Sequence, residues 1–189
     1  MNLPNKLTVL RVLLIPAFVL FALWSFWAGN TLIALAIFAI ASLTDMLDGK
    51  IARKQGIVTN FGKFLDPLAD KALVMAALLV MVQKGWVDSV AVMIILFREF
   101  MVSGLRMIAS SGEGVVIAAG WFGKVKTAFT MVAICAIFTL HGLADLGVGI
   151  GADFMVILDS ALIWIAAVIT ALSGWQYLWS YRKLINPND

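Results

Sequence analysis

Runs of apolar residues divide the chain into six long segments, at roughly residues 7–28, 31–52, 63–83, 87–109, 122–143 and 154–181. As a helix rising about 1.5 Å per residue, each can cross the ~30 Å hydrocarbon layer of a bilayer. Polar or glycine-rich breaks separate them: "AGN" (28–30), the charged stretch after residue 48, "QKGWVD" (83–88), "SSGEGVVIAAG" (110–120) and "HGLADLGVGIGAD" (141–153). The pattern predicts an all-α integral membrane protein with six transmembrane helices. Pro4, Lys6 and Arg11, set among apolar neighbours, predict a short interfacial helix ahead of the first span. With no internal repeat or low-complexity tract, residues 1–189 read as one domain.

Composition agrees with this pattern. The chain is 62% hydrophobic and 13% charged, with mean hydropathy +1.00. A soluble domain is about half apolar and a quarter charged, so a water-soluble fold of 189 residues would leave too much apolar surface in water. An outer-membrane barrel would show short alternating segments, and these runs are long and continuous. The basic start and long apolar run lack a small-residue cleavage site, so the first segment is expected to stay in the protein. Cys135, the one cysteine, lies in "MVAICAIF" and reads as a small buried hydrophobe. His141, the one histidine, reads as an interface residue.

Charge gives an orientation. With six spans both termini lie on one side, and all 14 basic residues except Lys84 fall at the ends or loops of that side. The positive-inside rule makes that side cytoplasmic. Trp24, Trp27 and Trp86 would anchor the outer interface, and Trp175, Tyr177, Trp179 and Tyr181 the inner one.

Four of the 11 acidic residues gather in "DMLDGKIARKQGIVTNFGKFLDPLAD", residues 45–70. Asp45 and Asp48 are spaced i, i+3 at the end of the second segment; Asp66 and Asp70 are spaced i, i+4 at the start of the third. Helical spacing puts each pair on one face, and the short linker makes the two segments antiparallel neighbours. Four bare carboxylates at one depth would repel and be driven toward protonation. A hard divalent cation, Mg²⁺ or Mn²⁺, removes that conflict, because it takes carboxylate and phosphate oxygens. Gly49, Ala52 and Gly62 lie one helical turn from an aspartate and keep bulk away, so a phosphate can come close. Arg53 adds a planar donor fork. Acidic clusters at a membrane point to function.

These fixed positions, Asp45-x₂-Asp48-Gly49-x₂-Ala52-Arg53-x₈-Gly62-x₃-Asp66-x₃-Asp70, resemble the signature of the CDP-alcohol phosphotransferase family at every point. The flanking "NLPNKLTVLRVLLIPAFVLF", "TNFGKFLDPLADK", "FREFMVSGLR" and "GWFGKVKTAFTMVAI" look like the phosphatidylglycerophosphate-forming branch. The resemblance covers most of the chain and weakens at 141–153 and the C-terminal tail. It implies transfer of the phosphatidyl group from CDP-diacylglycerol to sn-glycerol 3-phosphate, giving phosphatidylglycerophosphate and CMP. It also implies that Asp45, Asp48, Asp66 and Asp70 bind the metal and that Asp70 is the general base. Asp48, Gly49, Ala52, Arg53 and Gly62 would cradle the cytidine diphosphate. It further implies a homodimer in the bacterial inner membrane. The residues suit such chemistry: a carboxylate can take the proton of an attacking alcohol, and metal can stabilise the departing CMP.

Glycerol 3-phosphate is a second anion, so cations must offset the aspartates. Arg106, Lys124 and Lys126 are expected to hold it, with Arg98 beside them and paired to Glu99. Glu99, Ser103 and Arg106 share a narrow sector at ~100° per residue. A helix beginning at "GKVKT" would favour phosphate at its N-terminus. Thr8 and Arg11 are weaker candidates at the rim. Asp159 receives no role. The small residues of "SALIWIAA" and "ALSG" permit close helix packing, including that of a dimer.

Other acceptors (serine, inositol phosphate, phosphatidylglycerol) share the aspartate pattern; the basic residues favour glycerol phosphate. A divalent-cation transporter would spread its acids across the membrane depth, whereas these cluster on one side.

Overall fold

The computed structural model describes residues 3–24, 27–55, 60–111 and 121–182, with side chains described except at 3–5, 45–55, 60–64, 66–67 and 108–111. Among the described residues there are six helices and no strand: α1 (Leu3–Leu23), α2 (Asn30–Gln55), α3 (Asn60–Gln83), α4 (Ser89–Ser111), α5 (Trp121–Asp145) and α6 (Ala152–Ser180). Each answers to one apolar segment. α1, α5 and α6 are long and apolar enough to cross a membrane; the apolar part of α2, Asn30–Thr44, is shorter.

Two details differ from the sequence pattern. The leading residues are the first turns of α1 and form no separate interfacial helix: α1 runs unbroken from Leu3. Pro4 sits in the first turn, where its missing N–H costs nothing. α1 also ends at Leu23, short of the apolar Trp24 and Trp27. Apolarity alone extends a segment through such residues, but Gly29 turns the chain with φ +92°, and the Asn30 side-chain amide donates to Trp24 O at 2.5 Å.

The burial pattern is that of a protein in lipid. Leu13, Leu20, Met93, Phe97, Val156, Ile157 and Leu172 are exposed, while Thr8, Arg11, Thr31, Lys126, Asp159, Thr170 and Ser173 are buried. In water that arrangement would forfeit the hydrophobic effect. In hydrocarbon it is expected, because apolar faces meet lipid and polar groups turn inward.

The chain groups into two compact units, residues 1–84 with 134–155, and residues 85–133 with 156–189. In the first, α1 packs against α2 and α3, most extensively against α2. Thr8, Arg11, Phe18 and Ala22 form the buried stripe of α1, at the i, i+3, i+4 spacing of one helix face. Phe18 meets Phe38 at 5.8 Å and Phe138 at 5.5 Å, both tilted, which is the favoured aromatic geometry. A Cβ on Gly142 would lie 2.4 Å from Leu32 Cδ2, so α5 approaches α2 as closely as a missing side chain allows. Thr31 Oγ1 donates to Asp145 Oδ2 at 2.5 Å nearby.

In the second unit, Asp88 caps α4: its Oδ1 accepts from Val90 N at 2.7 Å and Ala91 N at 3.1 Å. α6 buries one stripe, Asp159, Ile163, Ala166, Ala167, Thr170, Ser173, Gly174 and Tyr177. Most of these are small, which allows close backbone approach without lipid between the helices.

Candidate functional site

α2 contains Asp45, Asp48, Gly49, Ala52 and Arg53, and α3 contains Gly62, Asp66 and Asp70. The helical backbone that their spacing requires is therefore present. Except for Asp70, the side chains of these expected metal and CDP ligands lie outside the described residues. Asp70 is exposed, beside the buried face of α3 formed by Ala69, Leu73 and Ala77. Among the described residues no cluster of three His, Cys, Asp or Glu side chains stands as a rival metal centre. The donor set of the motif is all carboxylate oxygen, which fits a hard divalent cation.

Two of the expected acceptor-binding residues, Arg98 and Lys126, meet at Glu99. Its Oε1 accepts from Arg98 Nη1 at 3.0 Å and from Lys126 Nζ. Lys126 is only 4% exposed, so Glu99 is what allows its charge to sit there. Arg98 also donates through Nη2 to Ser173 Oγ at 2.7 Å. α6 comes so close that a Cβ on Gly174 would lie 2.9 Å from Arg98 Cγ and 3.3 Å from Met101 Cε. At the other side, a Cβ on Gly123 would lie 3.9 Å from Arg98 Nη2. The guanidinium is thus bonded to Glu99 of α4 and Ser173 of α6, with the bare Gly123 backbone of α5 close by.

Two turns further along α4, Arg106 Nε donates to Tyr177 Oη at 3.2 Å, and its guanidinium carbon lies 5.8 Å from the Tyr177 ring centroid. Tyr177 in turn packs on Tyr181, centroids 4.9 Å apart. Lys124 is exposed. The second unit therefore holds an exposed lysine, an arginine steered by a tyrosine, and a buried lysine and a part-buried arginine sharing one carboxylate. Such an array can hold a phosphate against fixed positive charge with little reorganisation.

Several positions differ from their sequence reading. Tyr177, expected as an interface anchor, is buried and orients Arg106; Trp175 and Trp179 are exposed and stack at 6.2 Å. Ser173 and Gly174 of "ALSG" face α4 of the same chain. Asp159 is buried. Thr8 and Arg11 are buried in the first unit. Cys135 is a free, half-buried thiol.

Comparison with known proteins decides the family. The sequence model of CDP-alcohol phosphatidyltransferases matches residues 1–173. The chain belongs to the CDP-alcohol phosphatidyltransferase family. It is 43% identical to the CDP-diacylglycerol–glycerol-3-phosphate 3-phosphatidyltransferase of Bacillus subtilis, over 98% of this chain and 99% of the relative. It is 37% identical to the protein of the same name from Rickettsia felis, over 96% of each. The Haemophilus influenzae protein of that name is 39% identical, over 94% of this chain and 91% of the relative. The family match takes in all of α1 to α5 and most of α6, so it reaches into both units of this phosphatidyltransferase-family chain.

Proposed function

We propose that the chain transfers the phosphatidyl group of CDP-diacylglycerol to sn-glycerol 3-phosphate, releasing CMP and forming phosphatidylglycerophosphate. The observation that carries this is its end-to-end similarity to relatives named for that reaction, at 43% and 37% identity. The charged cluster around Glu99 supports the anionic acceptor, since serine would have no use for so many cations.

In this reading the acceptor hydroxyl forms a P–O bond to the phosphorus that carries the diacylglycerol. The bond from that phosphorus to the bridging diphosphate oxygen breaks, and CMP leaves with the oxygen. Asp70 accepts the hydroxyl proton as attack proceeds, the role a positioned carboxylate can take for an alcohol whose pKa lies far above 7. Its exposure leaves it accessible to a water-soluble acceptor. Asp45, Asp48, Asp66 and Asp70 would hold Mg²⁺ or Mn²⁺, which when bound would neutralise diphosphate charge. Gly49, Ala52 and Gly62 leave room for the cytidine diphosphate, and Arg53 donates to its oxygens. Arg106, Lys124 and Lys126 hold the glycerol phosphate, and Glu99 keeps Arg98 and Lys126 in place. The acyl chains stay in the bilayer while the head group meets the acceptor at its surface. The reading includes a bacterial inner-membrane location with both termini and the site cytoplasmic, residues 1–189 acting as one catalytic domain, and a homodimer.

The test is incorporation of radiolabelled glycerol 3-phosphate into lipid by purified protein with CDP-diacylglycerol and Mg²⁺. A labelled chloroform-soluble phosphate ester is expected. Product with serine or inositol phosphate, and none with glycerol 3-phosphate, would overturn the acceptor assignment.

A further inference from the structure

A polar pocket and an apolar groove adjoin at the helix ends of the first unit, away from Asp70. The pocket, about 300 Å³, is lined by Trp24, Trp27, Asn30, Thr31, Lys84 and Asp145 among others. It lies where α1 and α5 end, α2 begins and α3 has just ended. Along α3, Lys84 is some 20 Å from Asp70 at ~1.5 Å per residue. The groove, about 650 Å³, runs over Ile15, Pro16, Val19, Leu20 and Leu23. Trp24 lines both.

The pocket is built around acceptors. Asn30 is 3% exposed, and its Oδ1 is buried with no hydrogen-bond partner among the described residues. Its amide nitrogen is engaged with Trp24 O, which fixes the orientation of the oxygen. Buried polar atoms are nearly always satisfied, and an exception marks a missing partner. Asp145, accepting from Thr31 Oγ1, has lone pairs to spare beside it. Lys84 supplies a positive charge at the rim. Trp24 and Trp27 are both exposed, as tryptophans are at the level of lipid head groups.

We propose that this pocket and groove bind one phospholipid, distinct in place from the reacting one. Its head group carries a hydrogen-bond donor, a hydroxyl or an ammonium. An acyl chain lies along α1 over Ile15, Pro16 and Val19. The phosphate sits toward Lys84, and the head-group donor satisfies Asn30 Oδ1 and Asp145. The occupant is a lipid because the two cavities join a polar end to an apolar one. A small polar solute would leave the groove empty, and a hydrocarbon would leave the buried Asn30 Oδ1 unsatisfied. Choline, which has no donor, fits poorly. The inference is independent of the proposed reaction, since its readout is retention of a lipid.

The test uses the full-length purified protein, delipidated in detergent and exposed in turn to phosphatidylglycerol, phosphatidylethanolamine and phosphatidylcholine of equal chain length. Native mass spectrometry reads the lipid retained. The first two are expected to be kept about tenfold more than phosphatidylcholine, the scale of one hydrogen bond to a charged or buried acceptor. Phosphatidylglycerol with a diazirine in one acyl chain is expected to label residues 15–24. Asp145→Asn should reduce both signals. Val19→Trp, which fills the groove from a lipid-facing position and leaves the polar pocket intact, should abolish the labelling even if Asp145→Asn fails to fold. Equal retention of the three lipids, or labelling spread evenly over all lipid-facing helices and unchanged in Val19→Trp, would overturn the proposal.

Discussion

Gly174 faces Arg98 so closely that a Cβ built on the glycine would lie 2.9 Å from Arg98 Cγ. Because Cγ is near the base of the side chain, Arg98 can give way only by changing rotamer. Its bonds to Ser173 at 2.7 Å and Glu99 at 3.0 Å depend on its present one. Gly174→Ala is therefore expected to cost about 1–3 kcal/mol, as overpacking does, and to raise KM for glycerol 3-phosphate several-fold. An unchanged KM together with an unchanged melting temperature would show that α6 does not position Arg98.

Glu99 compensates the buried charge of Lys126. Glu99→Gln leaves that ammonium without its carboxylate, which in a buried pair costs about 3 kcal/mol. Lys126→Met removes the charge as well and should be far milder for stability, while still impairing acceptor use. Cys135 is a free, half-buried thiol and the only cysteine, so a thiol-reactive fluorogenic dye can follow unfolding in detergent. Equal melting temperatures for the two variants would remove Glu99 as the counter-ion of Lys126.

The helices were legible in the sequence because lipid demands long apolar runs, and five of the six segments match their helices to within a few residues. The first is displaced because Trp24 and Trp27 are apolar without being helical. The roles of Glu99 and Arg98 as a pair were legible from adjacency alone. The partners supplied by α6 were not. Ser173, Gly174 and Tyr177 are 75, 76 and 71 residues from the arginines they meet, and a serine, a glycine or a tyrosine in an apolar run has many ordinary reasons to be there. A missing side chain such as that of Gly174 leaves no polar signal at all. The nearest available clue was helical periodicity: Asp159, Ala166, Thr170, Ser173 and Tyr177 fall on one face of α6, and a polar stripe on an apolar helix points inward.

Asp70 is exposed on α3, so its carboxylate contributes little to folding by burial. Asp70→Asn should then leave the melting temperature within about 0.5 kcal/mol of the original in stability terms. Turnover should fall by about 10²–10⁴, the range for loss of a general base. Near-normal incorporation of labelled glycerol 3-phosphate would remove Asp70 from that role.

Arg106 is steered by Tyr177 at 3.2 Å, and Lys124 is exposed. Replacing both cations by alanine should raise KM for glycerol 3-phosphate, by about 100-fold if each charge-assisted bond to phosphate contributes ~1.5 kcal/mol. KM for CDP-diacylglycerol should change much less. Tyr177→Phe keeps the ring and loses the hydroxyl, so it should raise the acceptor KM alone and more modestly. Equal effects on both substrates would argue against an acceptor site around these residues.

Asp45, Asp48, Asp66 and Asp70 offer only oxygen donors, and gathered carboxylates without a cation would push one another toward protonation. Chelation with EDTA should therefore abolish lipid product without unfolding the six helices, which are built from apolar faces and backbone bonds. Mg²⁺ or Mn²⁺ should restore product. Asp48→Asn withdraws one negative ligand and should raise the metal concentration needed for half-maximal activity, since affinity for a hard cation follows ligand charge. Lys124→Ala should leave that concentration unchanged, because a cation assigned to the acceptor phosphate does not ligate metal. Full activity in excess chelator, or the same metal requirement in Asp48→Asn as in the parent, would take the aspartates out of metal binding. An effect of Asp48→Asn on metal alone, with Lys124→Ala acting on acceptor alone, would assign the two charged groups to separate tasks in one reaction.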